Sequence, residues 1–295
     1  MKKSTSQTSF DKITDSVISL LEKSQNEGKP LSWVKSWKSV YPQNLKTKNI
    51  YKGVNEILTS LACSVNEWEN PYFLTFKQAK EFNGKVKKGE KSLPILFVEA
   101  KEKDSDLLDE KGEPVKETYF IYKWFNIFNI SQIEGLEIEI PKISETEDKP
   151  LLEAEKIVSE MPKLPEIKSG GGRCFYNPIK DFVGIPVRNS FKSIEDYYSS
   201  LFHELVHSTG HKSRLNRKGV SGNTKFGDSV YSKEELIAEF GSAFLCSVCG
   251  IENKTIENNT AYIQGWIKAL KNDKSLLLKA SSQAKKSVKF ILNQK

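Results

Sequence analysis

The chain has 295 residues, long enough for two domains that each bury a core. Its 38% hydrophobic and 28% charged residues are those of a soluble globular protein, and no run approaches the ~20 apolar residues that would span a bilayer. The net charge of +7, from 45 basic and 38 acidic side chains, suggests an anionic partner, and the four scattered cysteines exclude a disulfide framework.

The first ten residues are polar and lack the apolar core and cleavage site of a secretory signal, so cytoplasmic residence is expected. From Phe10 to Lys23 the apolar positions Phe10, Ile13, Val17, Ile18, Leu20 and Leu21 recur at helical spacing and predict an amphipathic helix ended by Gly28 and Pro30. Aromatic and basic residues then interleave: Trp33 and Trp37 lie among lysines, and Lys46, Lys48, Tyr51 and Lys52 follow. Rings that stack bases beside ammonium groups that neutralise phosphates are what a single-stranded nucleic-acid surface uses. Val54 to Val65 and Phe76 to Phe82 are further helix candidates, and Asn83 to Lys91 gathers Lys85, Lys87, Lys88 and Lys91 in a glycine-punctuated turn. Such a loop can bring several ammonium groups to one phosphate run. Leu93 to Val98 reads as a strand with Glu117 to Phe128 as its partner, and Lys101 to Glu113 between them as a charged, mobile insertion.

Residues 1–136 are expected to form a small mixed α/β DNA-binding domain, 137–150 a charged, proline-flanked linker, and 151–295 a second domain, making an α+β protein of two domains. The second domain opens with a helix over Leu151 to Met161. Arg173 to Tyr176 and Phe182 to Val187 then flank a turn at Asn177 to Asp181, a strand pair suited to receive a peptide backbone at its edge. Two helices, near Ile256 to Lys271 and Ser275 to Leu292, finish the chain. Cys246 and Cys249 have C-x-x-C spacing but lie in an apolar helical run, where small buried side chains are expected.

All three histidines of the protein, His203, His207 and His211, fall within Leu201 to His211. On a helix His203 and His207 project from one face about a turn apart, so both imidazoles can reach one ion. With Glu204 between them they make the His-Glu-x-x-His arrangement, in which the imidazoles bind Zn²⁺ and the glutamate acts as general base. Leu201, Phe202, Leu205 and Val206 should bury the opposite face, and Gly210 should stop the helix. The third ligand is expected from a second helix over Tyr231 to Gly250, where Glu235 and Glu239 share a face. Glu235 is the favoured ligand with Glu239 orienting an imidazole. The competing reading makes Ser232 and Glu235 a capping box and Glu239 the ligand. His211 is an alternative ligand, and it or Tyr231 a possible oxyanion stabiliser.

The chain resembles the ArdC-type antirestriction proteins of plasmids and other mobile elements. In the first half the resemblance rests on Pro42-x-Asn44, Tyr51-x-Gly53-x-Asn55, Leu74-Thr75-Phe76-Lys77-Gln78-Ala79, Lys87-Lys88-Gly89-Glu90-Lys91 and Phe128-Asn129-Ile130-x-Gln132. In the second it rests on Gly171-Gly172-Arg173-x-Phe175-Tyr176, the histidine stretch with Arg214-Leu215-Asn216, and Glu234-Glu235-Leu236-Ile237-Ala238-Glu239. It implies a first domain that binds single-stranded DNA, a module also found in TraC-type primases, joined to a zincin-like metallopeptidase domain that protects incoming DNA from host restriction. The candidate DNA contacts are Trp33, Trp37, Lys46, Lys48, Tyr51, Lys52, Asn55, Lys77, Lys85, Lys87, Lys88 and Lys91. Lysine throughout, with no arginine before Arg173, suits sequence-independent phosphate contact. Restriction enzymes or other DNA-bound proteins are the partners this implies. The alternative is a DNA shield without proteolysis, its zinc site structural or vestigial.

Overall fold

The computed structural model of the protein describes residues 5–28, 33, 41–108, 114–141, 149–220, 229–251 and 260–294. The first domain begins with helix α1 (Thr5–Glu27), then strand β1 (Gln43–Asn44), helix α2 (Val54–Val65), strand β2 (Tyr72–Thr75), helix α3 (Phe76–Glu81), and strands β3 (Lys85–Val86), β4 (Leu93–Leu108), β5 (Pro114–Asn129) and β6 (Ile133–Glu134). The helix bounds expected at Val54, Val65 and Phe76 are those observed, because local signals set them. Thr75 accepts from the Gln78 amide while Gln78 caps back, a box that starts α3 directly at the end of β2.

The sheet of this domain has the order β1-β2-β5-β4, with β1 parallel to β2 and the other pairs antiparallel. Its long β4–β5 hairpin corrects the expectation of a mobile insertion. Lys101, Glu102, Lys103 and Asp104 pair with Tyr119, Thr118, Glu117 and Lys116, and Leu108 pairs with Pro114. Opposite charges face one another across these rungs, Lys103 with Glu117 at 3.4 Å and Lys116 with Glu102 at 3.8 Å, so a highly charged segment still makes a ladder.

The second domain contains helix α4 (Lys149–Glu160), strands β7 (Glu166–Ser169), β8 (Phe175–Asn177) and β9 (Phe182–Ile185), and helices α5 (Ile194–Ser208), α6 (Ser229–Cys249), α7 (Thr260–Asn272) and α8 (Leu276–Ile291). Its sheet runs β7-β9-β8, with β7 parallel and β8 antiparallel to β9. The sequence reading missed β7, whose residues Glu166 to Ser169 are too polar to alternate clearly. Helix α5 starts at Ser193, which accepts from the Asp196 amide, with Glu195 and Asp196 favourably placed in the first turn.

The two domains share one apolar cluster. Helix α1 joins it by Ile13, Val17 and Leu21, and the Thr14 hydroxyl donates to the Lys274 carbonyl at 2.8 Å. Glu22 pairs with Lys271 at 2.7 Å and Asp15 with Lys274. Trp33 is fully buried, its ring 5.0 Å from Phe240 and 5.6 Å from Trp266. Cys246 and Cys249 are buried free thiols, as expected. Among the described residues no helix is long and apolar enough to cross a membrane.

Candidate metal centre

The centre is built where α5 crosses α6. The crossing is close because position 241 is glycine: a Cβ there would meet the Val206 methyls at 2.7 and 2.8 Å. Leu201, Phe202, Leu205 and Val206 of α5 and Leu236, Phe240 and Ala243 of α6 are buried, which fixes the rotation of both helices. Their polar edges then meet. His203 and His207 bring their Nε2 atoms within 3.1 Å, and the carboxylate of Glu235 lies 3.5 Å from the first and 3.6 Å from the second.

That triangle is the right size for an ion. Bonds of about 2.0–2.1 Å in tetrahedral geometry put ligand atoms roughly 3.3–3.4 Å apart. Two imidazoles and a carboxylate form the donor set that zinc takes in catalytic sites, with a fourth position left open. Among the described residues this is the one cluster of three such donors, and it does not include His211.

Each histidine turns its other nitrogen to a second carboxylate. Glu239 lies 3.5 Å from His203 Nδ1, and Glu234 lies 3.6 Å from His207 Nδ1. Carboxylates behind both rings favour the tautomers that carry the proton on Nδ1 and leave the Nε2 lone pairs facing the centre. In this arrangement Glu235 sits in the triangle and Glu239 behind it. Helix α6 begins at Ser229, so Ser232 lies inside the helix and not at its N-cap.

The electrostatics are those of a crowded, dry site. Burial pulls the His203 imidazole down, yet Glu235, Glu239 and Glu204 outweigh it and push it up to about 9. His207 is likewise raised against the effect of its burial, by Glu235 and Glu234. Glu204 is raised above the usual carboxylate range by burial, with Glu235 adding to the rise and the two histidines opposing it. The Tyr176 backbone amide bonds to Glu204, so strand β8, at the edge of its sheet, lies directly beside the candidate base. Cys174 also stands near: burial and then the Glu204 charge push its thiol up to about 11, which keeps it protonated.

Two features were not anticipated. Arg217, itself buried, grips Glu234 through Nε at 3.2 Å to both oxygens and through Nη2 at 2.5 Å. Its remaining donors go to the Thr209 and Ser287 hydroxyls and to the Val206 carbonyl, at 2.6, 2.9 and 2.9 Å. Burial works to raise the Glu234 carboxyl, but His207 and Arg217 hold it below its ordinary value. Secondly, Arg214 clasps Asp181 with bonds of 2.8 and 3.1 Å, and the Tyr176 hydroxyl donates to the same carboxylate at 2.7 Å. His211 belongs to this network, with Nδ1 2.8 Å from Ser213 Oγ and 3.7 Å from Asp181. It thus stands between the β8–β9 turn and the end of α5, outside the donor triangle. Gly210 also has a different reason from the one expected: a Cβ would strike Val220 at 2.3 Å, so close approach, not a left-handed helix stop, requires it.

Three candidate DNA contacts take structural roles. Trp33 is at 0% exposure, and its ring has no face left for a base. Tyr51 is buried against Phe73. The Asn55 side chain both donates to the Leu96 carbonyl at 2.6 Å and accepts from the Leu96 amide at 2.9 Å, pinning α2 to β4. Lys46, Lys48, Lys52, Lys77, Lys85, Lys87, Lys88 and Lys91 are exposed, Lys46 paired with Glu81 and Lys87 bonded to the Ser131 carbonyl. Trp37 and the side chain of Tyr231 lie outside what the structure describes.

Known proteins resemble both halves of the chain. The family described as the N-terminal domain of anti-restriction factor ArdC matches residues 7–128, and that described as a zincin-like metallopeptidase matches residues 153–283. The metal-free crystal structure of the antirestriction ArdC protein from plasmid R388 is 31% identical and superposes with a TM-score of 0.64 over 97% of this chain and 98% of that one. Its Mn(II)-bound structure gives 30% and 0.61 over 96% and 97%. A DNA primase TraC of Escherichia coli is 33% identical over 277 residues, covering 88% of this chain, so the likeness takes in both halves. The chain spans only 18% and 25% of the two TraC primases it matches. An uncharacterised protein y4eC of Sinorhizobium fredii is 25% identical over 93% of this chain and 88% of its own length.

Proposed function

The chain belongs to the ArdC antirestriction family and carries a zincin-like metallopeptidase domain, and from that premise we propose that it is a zinc-dependent peptidase that binds single-stranded DNA without sequence preference and shields incoming DNA from restriction. The observation that carries the peptidase reading is the triangle of His203, His207 and Glu235 donors with the buried Glu204 on the same helix.

His203, His207 and Glu235 would hold the ion. Zinc, when bound, supplies Lewis-acid polarisation of a peptide carbonyl and lowers the pKa of water. Glu204 takes the proton of the attacking water and passes it to the leaving amine; its raised pKa suits a group that must both accept and return a proton near neutral pH. Glu239 and Glu234 orient the imidazoles, and Arg217 holds Glu234. The unpaired outer edge of β8 is suited to an extended peptide, which would add as a further strand beside Glu204. The DNA-binding half would concentrate the peptidase near restriction enzymes or other proteins on the same strand.

The non-proteolytic shield gives Glu204 no task, although burying an acid without one is costly. Replacing Glu204 with Gln decides the matter. The variant should keep zinc, lose cleavage of an unfolded protein substrate by at least ~100-fold, and lose protection of DNA in a restriction challenge. Full protection by the zinc-loaded variant would overturn the peptidase account.

A further inference from the structure

The lysines and rings first expected to contact DNA are now divided: the lysines are exposed, while Trp33 and Tyr51 are buried. Base stacking needs rings that water can reach. The β4–β5 hairpin supplies them, and the antiparallel register says on which face. Ile95 pairs with Phe125, Phe97 with Lys123, Glu99 with Ile121 and Lys101 with Tyr119. Directly opposed residues share a face, and successive such rungs lie two residues apart. One face therefore presents Phe97, Phe125 and Tyr119, at 55%, 44% and 41% exposure, each ring next to or diagonal to Lys123 or Lys101.

The opposite face also has open rings, Phe120 at 55% and Tyr122 at 41% exposure, but its charge is of the other sign. Its Tyr122 and Trp124 rings are engaged edge-on by Phe10 of α1, at 5.2 and 6.1 Å, and beside Phe120 it carries Glu102 and Asp104 against the single Lys116. The first face has Lys101, Lys103 and Lys123 against Glu99 and Glu117. Glu99 lies 2.7 Å from Lys123 and 3.8 Å from Lys101, so two ammonium groups share one carboxylate and keep a net positive field. Near the root of the hairpin lie the exposed Lys85, Lys87, Lys88 and Lys91, Lys85 opposite Glu134. Lys87 bonds the Ser131 carbonyl just past the end of β5, and Lys91 directly precedes β4.

Resting on the single-stranded DNA reading above, we propose that the strand lies along this face of the hairpin. Its bases would stack on Phe97, Phe125 and Tyr119, and its phosphates would run against Lys101, Lys123 and the lysines at the root. Exposed rings on a sheet serve as stacking platforms in other nucleic-acid-binding folds, and their tolerance of any base fits a surface with no arginine fork to read one. The lysines supply the charge complementarity that an apolar protein partner would not require.

The test is fluorescence anisotropy of a labelled 20-nucleotide oligothymidylate with the full chain, wild type against Phe97→Ala/Phe125→Ala. Each ring lost should weaken binding about five- to hundredfold, and Phe97→Tyr/Phe125→Tyr should restore most of it. The alanine variant should keep its fold and its peptidase activity, since both rings are exposed and neither belongs to the core cluster or the metal centre. Lys101→Gln/Lys123→Gln should flatten the salt dependence by about two phosphate contacts. Wild-type binding that the alanine pair leaves unchanged would overturn the placement while leaving the DNA-binding reading intact. Absence of binding by the wild type would sink both. Sedimentation showing that the same substitutions abolish a dimer without affecting DNA affinity would assign the rings to self-association instead.

Discussion

Arg217 and Glu234 form a buried ion pair directly behind a histidine of the candidate metal centre: Glu234 Oε1 is 2.5 Å from Arg217 Nη2 and 3.6 Å from His207 Nδ1. Because Arg217 also bonds Thr209, Ser287 and Val206, the orientation of His207 is tied to helices α5, α6 and α8 together.

Replacing Arg217 with Met should therefore do two things. It leaves Glu234 charged, buried and unpaired, at a cost of about 3–5 kcal/mol in chemical denaturation. It also frees His207, weakening zinc about 10- to 100-fold in competition with a chromophoric chelator. The double variant Arg217→Met/Glu234→Leu should recover stability but not zinc affinity. Recovery of both would reduce the pair to a structural role.

Glu235 and Glu239 should separate cleanly. Glu235→Ala removes a corner of the donor triangle and should abolish stoichiometric zinc in the purified protein, whereas Glu239→Gln should retain it with about 10- to 100-fold lower affinity. Elemental analysis after dialysis distinguishes them, and the reverse ranking would exchange their roles.

The pH dependence of the metal-free protein follows from His203, raised from 6.5 to about 9 as its carboxylate neighbours outweigh burial. A folded-state value above the unfolded one stabilises the protein fully below pH 6.5, and that stability is lost as pH rises through 9. Zinc must displace the same proton, so its affinity should rise over that window while metal-free stability falls. Tm values measured from pH 6 to 9.5, with and without zinc, should show opposite trends. A metal-free Tm that climbs between pH 7 and 9 would contradict the assignment.

Gly241→Ala tests the helix crossing. The added methyl would meet Val206 at under 3 Å and force α5 and α6 apart, costing about 1–3 kcal/mol and displacing Glu235 from the histidines. Adding Val206→Ala should restore zinc affinity toward wild type. A variant with Gly241→Ala alone that binds zinc normally would show that the crossing tolerates the shift.

The metal centre was legible because its spacing is local. His203 and His207 are one turn apart, and Glu235 lies on a helix whose apolar run declares itself. Arg217 was not legible: nothing in the sequence says that a loop arginine, 17 residues before its partner, folds back under α5 to reach Glu234. Composition failed for Trp33 in the opposite sense, since a tryptophan among lysines reads the same whether its ring faces water or packs on Phe240 and Trp266. The hairpin was underestimated because Lys101 to Asp104 looks like a solvated insertion until its partners, Lys116 to Tyr119, supply the opposite charges. Gly241 shows the same limit, as the need for a small residue exists only once α5 lies against α6.

The most direct test of the central claim is a crystal structure of the zinc-loaded protein with anomalous scattering measured on both sides of the zinc edge. The account predicts a single strong peak within bonding distance of His203 Nε2, His207 Nε2 and a Glu235 oxygen, with a fourth position open toward Glu204. A peak held by Glu239 or His211, or one closed by four protein ligands, would contradict it.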